Sequence, residues 1–322
     1  MITGKLEKRL YLIGGKPELV VYGDISEAIE VVGLRYTSTC QEMQHEETVN
    51  IFILGGKSAE TAPIKIPYKV SSVFSGQDIF ITSDKSYSYG EWYGKVRTVT
   101  DLRHKRAIIS IPGLRHLNKD FVSHLIFRPV LDRLLFECGY IPFHASGVAY
   151  AETGCIITGT AGSGKSTVLF GLLKSGMGFL GDDRILIRKE GECIPVIHSY
   201  PEYIRLPLTR SGPKHMLCPP GSAIYTSFPK LVLFLEKGDS DAKFTVEPIT
   251  PAEAGARLMH CIPPAIEKQV YKKAFSLVGD LCQKTKNFLI TGWGNPQERL
   301  KSILWMIKNY EIGKLNDYAF NN

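Results

Sequence analysis

At 322 residues with a formal net charge of +7, the chain is long enough for two domains, or for one core with a substantial appendage. Its 44% hydrophobic and 22% charged residues are those of an ordinary globular chain, and no apolar run approaches the roughly 18 residues that would span a membrane. Seven scattered cysteines with no C-x-x-C spacing exclude a disulfide framework and a zinc ribbon, and read as small hydrophobes in a reducing cytoplasm.

The first eight residues, Met1 to Lys8, lack the apolar core of a signal peptide, so a cytoplasmic location is expected. Strand-type runs follow at Glu18–Tyr22, Val49–Leu54, Asp78–Thr82 and Ala107–Ile111, separated by Gly, Pro, Asn and Ser clusters. Asp24–Val32 reads as a short helix. These elements predict a β-rich N-terminal domain over 1–112. A run of Trp92, Tyr93, Lys95 and Arg97 reads as a strand whose edge offers itself to an extended peptide. From Asn118 to Cys138 the apolar spacing is helical, with Pro129 expected to kink or split the helix. Pro142–Ala149 predicts a strand, Gly154–Thr158 a buried one, and Thr167–Ser175 a helix stopped by Gly176. Further on, Met177–Gly181, Leu231–Leu235 and Phe288–Thr291 read as strands. Pro213–Ser222 reads as a mobile loop, and Pro296–Tyr310 as an amphipathic closing helix.

Between the strand at 154–158 and the helix at 167–175 stands Gly159-Thr160-Ala161-Gly162-Ser163-Gly164-Lys165-Ser166-Thr167, which fits G-x-x-x-x-G-K-[ST]. Glycines let such a loop turn tightly and present N–H groups to an anion at a helix N-terminus. Lys165 suits the β/γ-phosphates and Ser166 a Mg²⁺ ion. An ordinary glycine turn is the alternative, but the strand and helix that the motif requires are both in place. Asp182 and Asp183 follow the next strand. Either carboxylate can serve as a base for a hydroxyl or as an oxygen ligand for metal, and a solvated Asp-Asp turn is the plainer reading. His144, alone, reads as a packing residue.

Together, Phe143-His144-Ala-Ser-Gly, the loop 159–166 and Phe179-Leu-Gly-Asp182-Asp183 resemble the HPr kinase/phosphorylase family of the PEP-carboxykinase-like superfamily. The resemblance implies catalytic roles for His144, Asp183 and Lys165, with Asp183 taking the proton of an acceptor serine. It implies metal ligands at Ser166 and, through the stretch Pro201-Glu-Tyr-Ile-Arg-Leu206, at Glu202, with Asp182 the alternative carboxylate. Arg205 becomes an acceptor-site candidate, although Leu-Pro-Leu follows it where the family carries R-G-L-G. The pattern H-A-S…G-x-x-G-x-G-K-S-T…D-D is similar to HPr-kinase-like enzymes of ribosomal-peptide clusters, among them lasso-peptide kinases.

The expected fold is therefore α/β: a phosphate-loop core with a mixed, twisted sheet over 113–322, plus the β-rich domain. The expected activity is Mg-ATP-dependent transfer of a phosphoryl group to a serine of a peptide or protein. A small-molecule hydroxyl kinase and a non-catalytic nucleotide-binding module are the alternatives. ATP and Mg²⁺ are the expected cofactors, and no nucleic-acid or membrane partner is expected, since +7 over this length reads as a solvated surface. Homo-oligomerisation stays open.

Overall fold

Runs of β-branched and aromatic residues become strands throughout the chain, and helices intervene where the apolar period changes from two to about 3.6. The computed structural model describes residues 6–13, 16–33, 38–39, 48–61, 72–75, 79–83, 86–191, 194–200, 202, 204–207, 214–217, 224–237, 244–263, 268–292 and 296–310. Two units emerge, Met1–Ile141 with Pro264–Tyr271, and Pro142–Pro263 with Lys272–Asn322. Among the described residues, no helix is long and apolar enough to cross a membrane.

The first unit carries β1 (Glu7–Ile13), β2 (Lys16–Gly23), α1 (Ser26–Gly33), β3 (Ser38–Thr39), β4 (Val49–Gly55), α2 (Gly56–Thr61), β5 (Ser72–Ser75), β6 (Ile79–Ser83), β7 (Tyr87–Trp92), β8 (Val96–Asp101) and β9 (Arg106–Ile111), then the helical pieces α3 (Lys119–Phe121) and α4 (Arg128–Glu137). Its described strands form one mixed sheet in the order β3-β1-β2-β4-β9-β8-β7-β6-β5. The centre, β2, β4 and β9, is parallel. There Tyr22 and Phe52 face each other across the β2–β4 pair and stack at 4.7 Å, the kind of cross-strand contact that fixes register.

One expectation changes here. The run from Trp92 to Arg97 is a hairpin, with Tyr93–Lys95 as its turn and both Tyr93 (φ 54°) and Gly94 (φ 63°) left-handed. Its strands are interior, because β7 pairs with β6 and β8, and β8 pairs with β7 and β9, so this run presents no free edge. The helix around Pro129 is split just before the proline, by a π-helical turn. Pro129 falls in the first turn of α4, where its missing N–H costs little, and Val122–Phe127 before it widens into a π-helical turn in which Arg128 N bonds back to Ser123 O.

The second unit holds β10 (Ile141–Phe143) from Pro142 on, β11 (Ser146–Tyr150), β12 (Thr153–Gly159), α5 (Lys165–Lys174), β13 (Gly178–Gly181), β14 (Ile185–Glu190), β15 (Ile194–Ser199), β16 (Ile204–Pro207), β17 (Lys214–Leu217), β18 (Thr226–Ser227), β19 (Pro229–Leu235), β20 (Thr245–Pro248), α6 (Pro251–Met259), α7 (Lys268–Lys284) from Lys272 on, β21 (Lys286–Thr291) and α8 (Pro296–Tyr310). Its main sheet is mixed, in the order β13-β11-β12-β19-β21-β20, with β12 parallel to β19 and antiparallel to β11. A four-stranded sheet, β10-β14-β15-β18, and the pair β16-β17 complete it. The central strand β12 is buried along almost its whole length, which explains its unbroken apolar run.

The core lies between this sheet and two helices. Leu169 and Leu172 of α5 and Ile303, Met306 and Ile307 of α8 pack with Ile157, Leu233 and Ile290 of the strands. Burying side chains of this size stabilises by about 1.5–3 kcal/mol each. The strand expected over 142–149 is divided: β10 ends at Phe143, the chain bends at His144 and Ala145, and β11 begins at Ser146. Of the loop expected at Pro213–Ser222, residues 214–217 form β17, and the rest lies outside the described residues.

Candidate active site

The loop from Gly159 to Gly164 joins the C-terminal end of β12 to the first turn of α5. Two of its glycines are dictated by space and conformation. At Gly159 (φ +152°) a Cβ would sit 2.0 Å from Leu235 O, a backbone atom of the neighbouring strand that cannot give way. Gly164 caps α5 in the left-handed region at φ 88°, where a side chain is strained. The first intrahelical bond of α5 runs from Val168 N to Gly164 O, so the amides of Lys165, Ser166 and Thr167 belong to the unpaired first turn of a helix, with its partial positive charge. Lys165 folds back over the loop, its Nζ donating to Gly159 O at 2.8 Å and Thr160 O at 3.1 Å.

Asp182 and Asp183 follow β13 in a bend and take different environments. Asp182 is 3% exposed, and the nearby Ser166 hydroxyl favours the charged form of its carboxylate. Ser146, itself fully buried, donates from Oγ to Asp182 O at 2.5 Å and reaches Asp182 Oδ1 at 3.5 Å. Burial, reinforced by the negative charges of Asp183 and Glu202, pushes the Asp182 carboxyl up to about 7, against the hydrogen bonds from Ser166 and Ser146. Glu202 is buried as well, its N–H donating to Tyr200 O at 2.8 Å.

Asp183 turns the other way. Its Oδ1 lies 3.2 Å from Nδ1 of His144, and both side chains are partly open to solvent. His144 is held by its backbone, with N donating to Cys261 O at 2.7 Å and O accepting from Thr158 Oγ1 at 3.5 Å. Thr158 Oγ1 also lies 2.9 Å from Cys261 Sγ, so Cys261, two residues past the end of α6, ties the histidine bend to the end of β12. Burial pushes the Cys261 thiol up, which makes it a packing and hydrogen-bonding group rather than a nucleophile.

The structure thus joins Asp183 to His144, places Asp182 under the influence of Ser166, Asp183 and Glu202, and folds Lys165 over the loop. Arg205 is placed on β16 opposite Met216 at the level of the backbone. Ser146, Thr158, Cys261 and Arg299 were not singled out from sequence. Arg299 donates from Nη2 to Ser163 O at 3.1 Å, behind the loop. Its signal was readable in α8: Arg299 stands one turn before Ile303 and shares the stripe of Ile303 and Met306, an arginine on an apolar face. Among the described residues no three His, Cys, Asp or Glu side chains form a metal cage. A Mg²⁺ ion, which keeps several waters and takes one or two protein oxygens, does not need one.

No family model matches the chain. Over 52 residues it is 36% identical to an HPr kinase/phosphorylase of Chlorobium limicola, a stretch that is 16% of this chain and 16% of that protein. The similarity is distant and local. The chain therefore matches only a small part of that curated relative's length. The solved HPr(Ser) kinase/phosphatase of Coxiella burnetii superposes with a TM-score of 0.32 at 13% identity, over 53% of this chain and 97% of that one.

Proposed function

We propose that the chain is a phosphotransferase that moves the γ-phosphoryl group of Mg-ATP to a hydroxyl, and that the acceptor is a serine of a peptide or protein. One observation carries the reading. The adjacent carboxylates divide, Asp182 meeting Ser166 at the start of α5 and Asp183 meeting His144 at 3.2 Å. A site that only bound nucleotide would need the first contact and not the second.

The division assigns roles. The glycine loop and the first amides of α5 hold the phosphates, and Lys165, released from Gly159 O and Thr160 O, offsets the charge that builds on the transferring group. Ser166, with Glu202 or Asp182 as the carboxylate beside it, would hold Mg²⁺. Two carboxylates and a hydroxyl, with Asp182 buried and its pKa raised, are short of positive charge, and that is the fit a divalent cation meets. When bound, the ion would supply positive charge that offsets the charge of the phosphates. Asp183 accepts the proton of the acceptor hydroxyl, and His144 orients it through Nδ1. The local similarity to an HPr kinase/phosphorylase supports a kinase. The finer reading, a ribosomal precursor peptide of the lasso type, rests on the H-A-S and D-D pattern alone, and 1–112 as a β-rich appendage and 113–322 as the catalytic part remain our proposed organisation.

The test is transfer itself. The chain, given Mg-ATP labelled in the γ-phosphate, should label serine-containing peptides. Labelling of free sugars or amino acids and of no peptide would replace this acceptor class with a small molecule.

A further inference from the structure

Arg299 is 5% exposed, yet among the described residues its guanidinium has a single hydrogen-bond partner, the backbone carbonyl of Ser163, and its Nε has none. Among the described residues no carboxylate pairs with it. Leaving a charge buried without an opposite charge costs several kcal/mol, so proteins rarely keep one without use. Burial also draws its pKa down from the usual value, the direction expected of a cation that lacks an anion. The location gives the use. A Cβ at Gly164 would come within 3.7 Å of Nη1, so the guanidinium lies against the back of the glycine loop. Ser163, 1% exposed, adds a second unsatisfied group in the same place, its Oγ having no partner.

We propose that Arg299 is the buried counter-charge of the phosphates, a positioning residue that acts from behind the loop through the Ser163 carbonyl. This rests on the nucleotide reading of the loop. A cation fixed to that carbonyl orients the Ser163–Gly164 peptide and adds a positive field to the cradle. The nucleotide then supplies the anion that the guanidinium lacks. Arg299 touches no reacting atom; its effect passes through the loop.

Arg299→Met and Arg299→Lys test this, each measured for melting temperature without ligand and for affinity towards Mg-ATP and Mg-tripolyphosphate by calorimetry. Charge-assisted contacts of this kind are worth about tenfold or more in affinity. Arg299→Met should melt at or above the wild type, because an unpaired buried charge is gone, while both affinities fall about tenfold. Arg299→Lys should fall between. Arg299→Met binding both ligands as the wild type does would overturn the proposal. So would a variant that melts lower or fails to fold while Arg299→Lys binds normally, since Arg299 would then be a strut. A wild type that binds neither ligand removes the nucleotide reading itself, and this proposal with it.

Discussion

Replacing Asp182 by Asn should make the ligand-free protein less sensitive to pH, and the structure sets the size and sign of the change. An ordinary aspartate carboxyl lies near 3.8, whereas burial beside Asp183 and Glu202 holds this one near 7. Between those values the folded chain carries a proton on Asp182 that the unfolded chain has given up. Stability therefore falls as pH rises from about 4 to about 7 and levels off above that. Linkage across that interval amounts to about 4 kcal/mol, a figure good to its order of magnitude. Asn keeps the shape, leaves Asp182's own carbonyl partner Ser146 in place, and cannot ionise. Urea unfolding at pH 5, 6, 7 and 8 reads the difference between variant and wild type. Asp182→Asn should gain on the wild type by a few kcal/mol from pH 5 to pH 8. A difference that stays level within about 0.5 kcal/mol across that range would refute the reasoning, because the carboxyl would then titrate alike in both states.

Lys165→Ala should bind Mg-ATP weakly and lower turnover by orders of magnitude; turnover within about threefold of the wild type would remove its role in charge compensation. Asp183→Asn should keep Mg-ATP affinity within about threefold and lose transfer, since Asp183 contacts His144 and its neighbour Asp182 meets Ser166. Loss of affinity with the chemical step retained would make Asp183 the metal ligand. Gly159→Ala should destabilise by about 2 kcal/mol or more, because its Cβ would lie 2.0 Å from Leu235 O, and thermal unfolding with no change in midpoint would contradict the packing described.

Local chemistry was legible in the sequence where it repeats a local rule. The glycines and lysine of 159–166 placed a loop between β12 and α5, and apolar runs located β12, β19, α5 and α8. Less was legible where a residue's environment comes from distant chain. His144 read as a packing residue because Asp183, its partner at 3.2 Å, lies a hairpin, a loop, a helix and a strand away. Asp182 and Asp183 read most plainly as a solvated turn after a strand. In the fold they follow β13 in a bend, and burial separates them. The run from Trp92 to Arg97 misled because period-two alternation does not reveal a three-residue turn when Tyr, rather than Asn or Asp, takes the left-handed position before Gly94. Pro129 signalled a break, but whether a helix answers with a kink or a π-turn depends on what it packs against. Arg299 was visible only as a charge on an apolar stripe; nothing local linked it to Ser163.

The central claim is that one site binds Mg-ATP and delivers its γ-phosphoryl group to a serine hydroxyl. The most direct measurement incubates the wild type and Asp183→Asn with γ-labelled Mg-ATP and peptide libraries fixed at serine, threonine or tyrosine, with free sugars and amino acids alongside, and reads label on each acceptor. The account predicts label on serine peptides with the wild type and none with Asp183→Asn. Bound Mg-ATP with no label on any hydroxyl acceptor, from the wild type itself, would contradict it and leave a nucleotide-binding module.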